Sequence, residues 1–198
     1  MKRLLPVFML FCLMPGLAWA HLVSTGFGSY YDGMVHMLQT PADILLVVTL
    51  GLLSGQAGRE TARPLLLLLP AYWLLAGMAG MQSGGSADSP MLTTLSFGLV
   101  AMLVLLDRRP PHAVLLALAC LLAAFHGYLN GAALTMAGMD GLAIWGAATL
   151  VFLLATLLPA LVISLHAEWM RIGVRVAGSW IAAVSLLMLG WIWHMSGM

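Results

Sequence analysis

The chain has 198 residues, 62% of them hydrophobic and only 8% charged, with a formal net charge of +1 and a mean hydropathy of +1.02. A soluble domain carries roughly 25% charged residues, and the deficit here runs along the whole length, so a water-soluble fold is excluded. No basic run or aromatic-interleaved basic patch is present, which leaves nucleic acid without a binding surface. The composition predicts an all-α integral membrane protein, and 21 glycines suit closely packed transmembrane helices.

Residues 1–20 read as a signal peptide. Lys2 and Arg3 form its basic start, "LLPVFMLFCLMPGL" its apolar stretch, and Ala18-Trp19-Ala20 an A-x-A cleavage site. The alternative is an uncleaved first span, for which about 20 apolar residues are needed. With cleavage, the mature chain begins at His21 and retains Cys120 as its single cysteine. One cysteine makes no intramolecular disulfide and no cysteine metal cluster.

Six apolar runs follow, at about 41–57, 64–82, 90–107, 111–130, 141–166 and 176–195. They predict a six-transmembrane-helix bundle in a single domain spanning residues 21–198. Pro64, Pro90 and Pro111 suit a first helical turn, and Ser89 and Asp140 suit N-caps. The basic residues left after cleavage are Arg59, Arg63, Arg108, Arg109, Arg171 and Arg175, which fall after the first, third and fifth runs. The positive-inside rule makes those connections cytoplasmic. Both mature termini then lie on the periplasmic side of a bacterial inner membrane, in agreement with the signal peptide.

This topology sorts the polar groups. His112, His166 and Glu168 fall at cytoplasmic helix ends, whereas His21, Asp32, His36, Asp43, His126, Asn130, Asp140 and His194 gather toward the outside. Thr40-Pro41-Ala42-Asp43 has the form of a helix start, with Asp43 at N3 near the positive end of the helix dipole. Asp32 and His36, spaced i, i+4, share a face if "YYDGMVHML" is a short interfacial helix. In "AFHGYLNGA", His126 and Asn130 stand one turn apart beside Gly127 and Gly131. Ionisable groups inside a span are costly and face a polar cavity or partner. His126 is therefore either a ligand or a neutral histidine bonded to a neighbouring helix. The glycines would let another helix, or the segment before the first span, pack closely there. His21, with its imidazole and a free α-amine, can chelate a metal. His194 sits between Trp193 and Met195, near Trp191, as in an interfacial belt. Thioethers suit Cu(I), but with fifteen Met in the chain adaptable packing accounts for them.

The order of these features, from His21 through "TGFGSYYDGMVH" and "GLLSGQ" to "AFHGYLNGA", resembles the HupE/UreJ family of nickel/cobalt permeases. The likeness covers most of the mature chain, and its sharp motifs occupy about residues 21–56 and 124–132. The resemblance implies a small six- or seven-span protein that imports Ni²⁺ or Co²⁺ and is associated with hydrogenase or urease systems. The first family motif, His-Pro-x-x-Gly-x-Asp-His, places its initial His on His36, its Pro on Met37 and its Asp-His pair on Ala42-Asp43. The second, His-Gly-x-x-His-Gly, keeps His126, Gly127 and Gly131 but has Asn130 for its second His. A fifth-span histidine falls on Pro159.

These groups define the expected site. His21, Asp32 and His36 capture a divalent ion outside, and His36, Asp43, His126 and Asn130 form a weak N/O site deeper in. Imidazole and carboxylate suit Ni, Co, Zn or Cu, and a permeation site must release what it binds. The ion is cargo, so no permanently bound cofactor is expected. The expected partners are the lipid bilayer, the ion and hydrogenase or urease maturation proteins. A second reading is a non-transporting accessory protein that binds metal or a partner subunit for metalloenzyme assembly. A haem-bearing subunit would need paired histidines such as His126 and His194, and no C-x-x-C-H is present. No nucleophile elbow supports hydrolysis, so no enzymatic activity is expected.

Overall fold

The computed structural model describes residues 24–83 and 89–196. The signal peptide expected over 1–20 and the proposed chelating residue His21 lie outside the described residues. Among those described there are seven helices and no strand: α1 Ser29–Gln39, α2 Pro41–Ala57, α3 Arg59–Gln82, α4 Pro90–Leu105, α5 His112–Met136, α6 Gly141–Ser164 and α7 Glu168–Ser196. Helices α3, α5, α6 and α7 are each long and apolar enough to cross a membrane. A fifth crossing results if α1 and α2, bent by 81° at Thr40, count as one broken span. Helix α4 is apolar but has 16 residues, which rise about 24 Å against a hydrocarbon core of about 30 Å.

Every expected apolar run forms a helix, and three boundaries move by more than a turn. Helix α3 begins at Arg59 rather than at residue 64, because Gly58 makes the whole turn from α2 at φ 98°. That positive φ suits glycine, and the Gly58 carbonyl at once accepts the N–H groups of Thr61 and Ala62. Pro64 consequently lies inside the helix instead of starting it. Helix α5 continues beyond residue 130 to Met136, and α7 starts at Glu168 rather than 176. At the caps, Asp140 accepts the Leu142 N–H at 2.9 Å, as its position predicts. Thr40 occupies the N-cap of α2 with Pro41 and Asp43 following as expected, but its hydroxyl turns back to the His36 carbonyl at 2.9 Å.

Helix α2 is the centre of the bundle. Ten of its 17 residues are buried, and from Thr49 to Gly55 it is buried on every side. Helices α6, α4, α3 and α1 pack on it, α3 lies along α5, α4 along α7, and α1 along α6. Small residues set the closest approaches. On the α3–α5 seam, a Cβ at Gly80 would strike the Tyr128 carbonyl, one at Gly131 the Gly77 carbonyl, and one at Gly127 the Trp73 carbonyl. Helix α3 is thus the element that occupies the glycine face beside His126, not the segment before the first span. Helix α1 sits against α6 through Gly33 and Gly146, and the Tyr30 hydroxyl meets Thr149 Oγ1 at 2.8 Å.

The arginine-bearing connections meet at one end of the bundle. There Gln56 Nε2 donates to the Val104 carbonyl at 3.2 Å, Arg175 Nε to the Leu105 carbonyl at 3.0 Å, and Thr61 Oγ1 pairs with His112 Nδ1 at 3.2 Å. The start of α2, the start of α4 and the second half of α5 lie toward the other end.

Candidate functional site

Asp43 enters the site because Pro41 sets α2 in motion just after the bend, which places its carboxylate one turn into the central helix. Both oxygens are then taken by α5. Oδ1 lies 2.8 Å from His126 Nδ1, and Oδ2 accepts from Asn130 Nδ2 at 3.1 Å. The i, i+4 spacing of His126 and Asn130 puts both on one face of α5, and Gly127 and Gly131 bring α3 close behind them. From α4, Ser96 Oγ lies 2.7 Å from His126 Nε2 and donates to its own helix at the Thr93 carbonyl, 2.7 Å away. His126 is 0% exposed, Asn130 2%, Asp43 4% and Ser96 8%. Three helices thus enclose one polar cluster.

Its proton inventory follows from the donors. Ser96, with one hydroxyl proton and two lone pairs, stands between the Thr93 carbonyl and His126 Nε2 and can serve either. A further proton must lie between Nδ1 and Oδ1, since two lone pairs facing each other at 2.8 Å repel. One valence stays open: Asn130 Oδ1 is buried without a partner among the described residues, as is Trp73 Nε1. The Trp73 ring stands 6.2 Å from the His126 ring, and Phe125 meets that ring edge-on at 5.5 Å.

The expected site residues therefore divide. Asp43, His126 and Asn130 converge. His36 lies half-buried on α1, within reach of the field of Asp43. Among the described residues no group of three or more His, Cys, Asp or Glu side chains is placed to hold a metal ion. His36 stands outside the hydrogen-bonded cluster of Asp43, His126 and Asn130. Asp32 does not pair with His36: its Oδ1 accepts the Thr25 N–H at 2.6 Å. Hydrogen bonds from the Thr25 hydroxyl and backbone hold this partly exposed carboxyl below the usual range. It ties down the entry to α1 instead. At the periphery, His166 and His194 are exposed, the latter with Trp191 and Trp193, and His112 joins the α5 start to α3.

Ser96 and Trp73 complete the cluster and were not among the expected residues. Ser96 is one of several hydroxyl residues in "TTLS", and Trp73 is an aromatic within an apolar run. Only a tertiary partner distinguishes them from ordinary packing.

An apolar helical bundle with a buried acid–imidazole–amide cluster defines an α-helical membrane protein built around polar groups at its core. Residues 9–188 match the family model described as HupE / UreJ protein, and the chain belongs to that family. Membership points to a nickel or cobalt transport role, or an accessory one. No curated protein and no solved structure matches the chain.

Proposed function

We propose that the protein is an inner-membrane permease for a divalent transition-metal ion, Ni²⁺ or Co²⁺ foremost, with α2 to α7 as six spans after a cleaved signal peptide. Both mature termini then face the periplasm, and the ion enters from that side. The observation that carries this reading is the buried convergence of Asp43, His126 and Asn130, with the Asn130 amide oxygen unpartnered among the described residues. A carboxylate, an imidazole and an amide oxygen are borderline-to-hard donors suited to Ni²⁺ and Co²⁺. So small a donor set holds an ion weakly, as a conducting site must. His36, at the bend just before Asp43, is the first group an arriving ion meets, and His21 and Asp32 lie before it in the chain. No catalytic step is assigned: the spatial order Ser96, His126, Asp43 is that of a hydrolytic triad, but the Ser96 hydroxyl is buried among the helices.

Uptake of radiolabelled Ni²⁺ and Co²⁺ into cells, and into proteoliposomes holding the purified chain, tests the proposal. His126→Ala should lower uptake roughly ten- to hundredfold, the usual cost of losing one metal-supporting group. Uptake unchanged by that substitution would overturn it. A second reading, a non-transporting accessory protein for hydrogenase or urease assembly, is favoured by the saturation of both His126 nitrogens and both Asp43 oxygens within the protein. Metal binding by the purified protein without uptake into proteoliposomes selects it.

A further inference from the structure

At the far end of α2 from Asp43, a cleft of about 280 Å³ opens between the ends of α2, α4 and α6 and the start of α7. Its polar wall comes from Gln56, Asp107, Arg171 and Arg175, and its apolar wall includes Val162 and Ile163. Arg171 and Arg175 are spaced i, i+4 and so stand on one face of α7.

The charges decide what the cleft can hold. Three helix C-termini end there, and their carbonyls favour a cation. Several of those carbonyls are already engaged, however. Gly58 N–H caps Ser54 and Gly55 on α2, Leu165 N–H bonds Val162 on α6, and Arg175 bonds Leu105, the last residue of α4. The Asp107 carboxylate is likewise taken by Arg109 at 3.1 Å. Among the described residues, the Arg171 guanidinium forms no hydrogen bond or ion pair with the protein. Two guanidinium groups with one of them free repel a divalent cation and attract an anion, and Arg presents a planar fork matched to phosphate.

The surroundings identify the anion's source. Trp169, Ile172 and Val176, on the same stretch of α7, are 72%, 56% and 47% exposed. In a membrane protein these side chains face acyl chains, and an exposed Trp beside Arg marks the headgroup level. A soluble anion gains nothing from such a rim, whereas a lipid places its phosphate on the arginines and its tails along α6 and α7. The amide oxygen of Gln56, buried without a partner among the described residues, leaves an acceptor at the floor for a headgroup hydroxyl.

We propose that this cleft binds the phosphate of an anionic phospholipid headgroup, held by Arg171 and Arg175. The test uses the full-length protein in nanodiscs of equal phosphatidylglycerol and phosphatidylcholine, with mass spectrometry of the lipids that stay bound after release. Wild type should retain phosphatidylglycerol in preference to phosphatidylcholine. Arg171→Gln should reduce that retention about fivefold, the effect of one basic residue at an anionic surface. Arg171→Lys should keep most of it, and Arg108→Gln, the same charge loss outside the cleft, should leave it unchanged. Excess inorganic phosphate should not displace the lipid. Equal retention of the two lipids by wild type, equal loss in the Arg108 variant, no loss in Arg171→Gln, or full displacement by inorganic phosphate would each overturn the proposal. Arg171 is exposed and makes no internal bond, so these variants should fold, and the thermal midpoint of each checks that they do.

Discussion

Two carboxylates at opposite ends of the bundle form close pairs of similar length and opposite meaning. Asp43 lies 2.8 Å from His126 with side-chain exposures of 6% and 0%, and Asp107 lies 3.1 Å from Arg109 with 37% and 41%. The first pair links two helices distant in sequence, is reinforced by Asn130 and Ser96, and has no water to replace a missing partner. The second spans two residues in a loop, and water competes for both members. Distance alone therefore says nothing of what a pair contributes. Burial and the number of helices joined decide it.

Breaking the pairs should separate them widely. His126→Leu leaves the Asp43 carboxylate buried without its counterpart, and unfolding in mixed detergent micelles should register a loss of about 3–5 kcal/mol. The sharper version adds Asp43→Leu to that variant. Removing both polar members should recover part of the loss, and equal stability of the single and double variants would show that the two residues are not coupled. Asp107→Asn should change the same unfolding free energy by less than about 1 kcal/mol, because the pair is exposed and Asn tolerates the positive φ of 49° at this position. The smallest effect belongs to Asp32. Its carboxyl is held below the ordinary range by Thr25, so its contribution is complete above the unfolded value of about 3.9. It is lost as pH falls through the lower folded value. Amide exchange at residues 25–32 should quicken only under those acidic conditions, with the rest of the bundle unaffected.

Much of this was legible in the chain itself. The apolar runs gave the helices, because a membrane segment must satisfy its backbone internally and hydrophobicity marks it strongly. At the start of α3 charge misled the reading: Arg59, Glu60 and Arg63 read as loop, yet they form its first turns. Asp43 and His126 were legible because a charged or titratable side chain near an apolar run is costly and must have a reason. Their joining was not, since it depends on which helix lies beside which. The Asp32–His36 spacing rightly placed both residues on one short helix, but the Asp32 carboxylate takes its hydrogen bond from Thr25, seven residues back. Ser96 carried no signal because hydroxyl residues satisfy themselves on helix carbonyls throughout the chain, as Thr49, Thr156 and Ser179 do.

The single-residue joint at Thr40 has a mechanical consequence. Its backbone N–H is tied to Met37 and its hydroxyl to His36, so it acts as a stiff elbow rather than a slack tether. Any tilt of the short arm that leans on α6 is delivered to the first turn of the central helix, three residues from the acid. Loosening that elbow, rather than altering any donor atom, is the most direct way to change how firmly the core carboxylate is held.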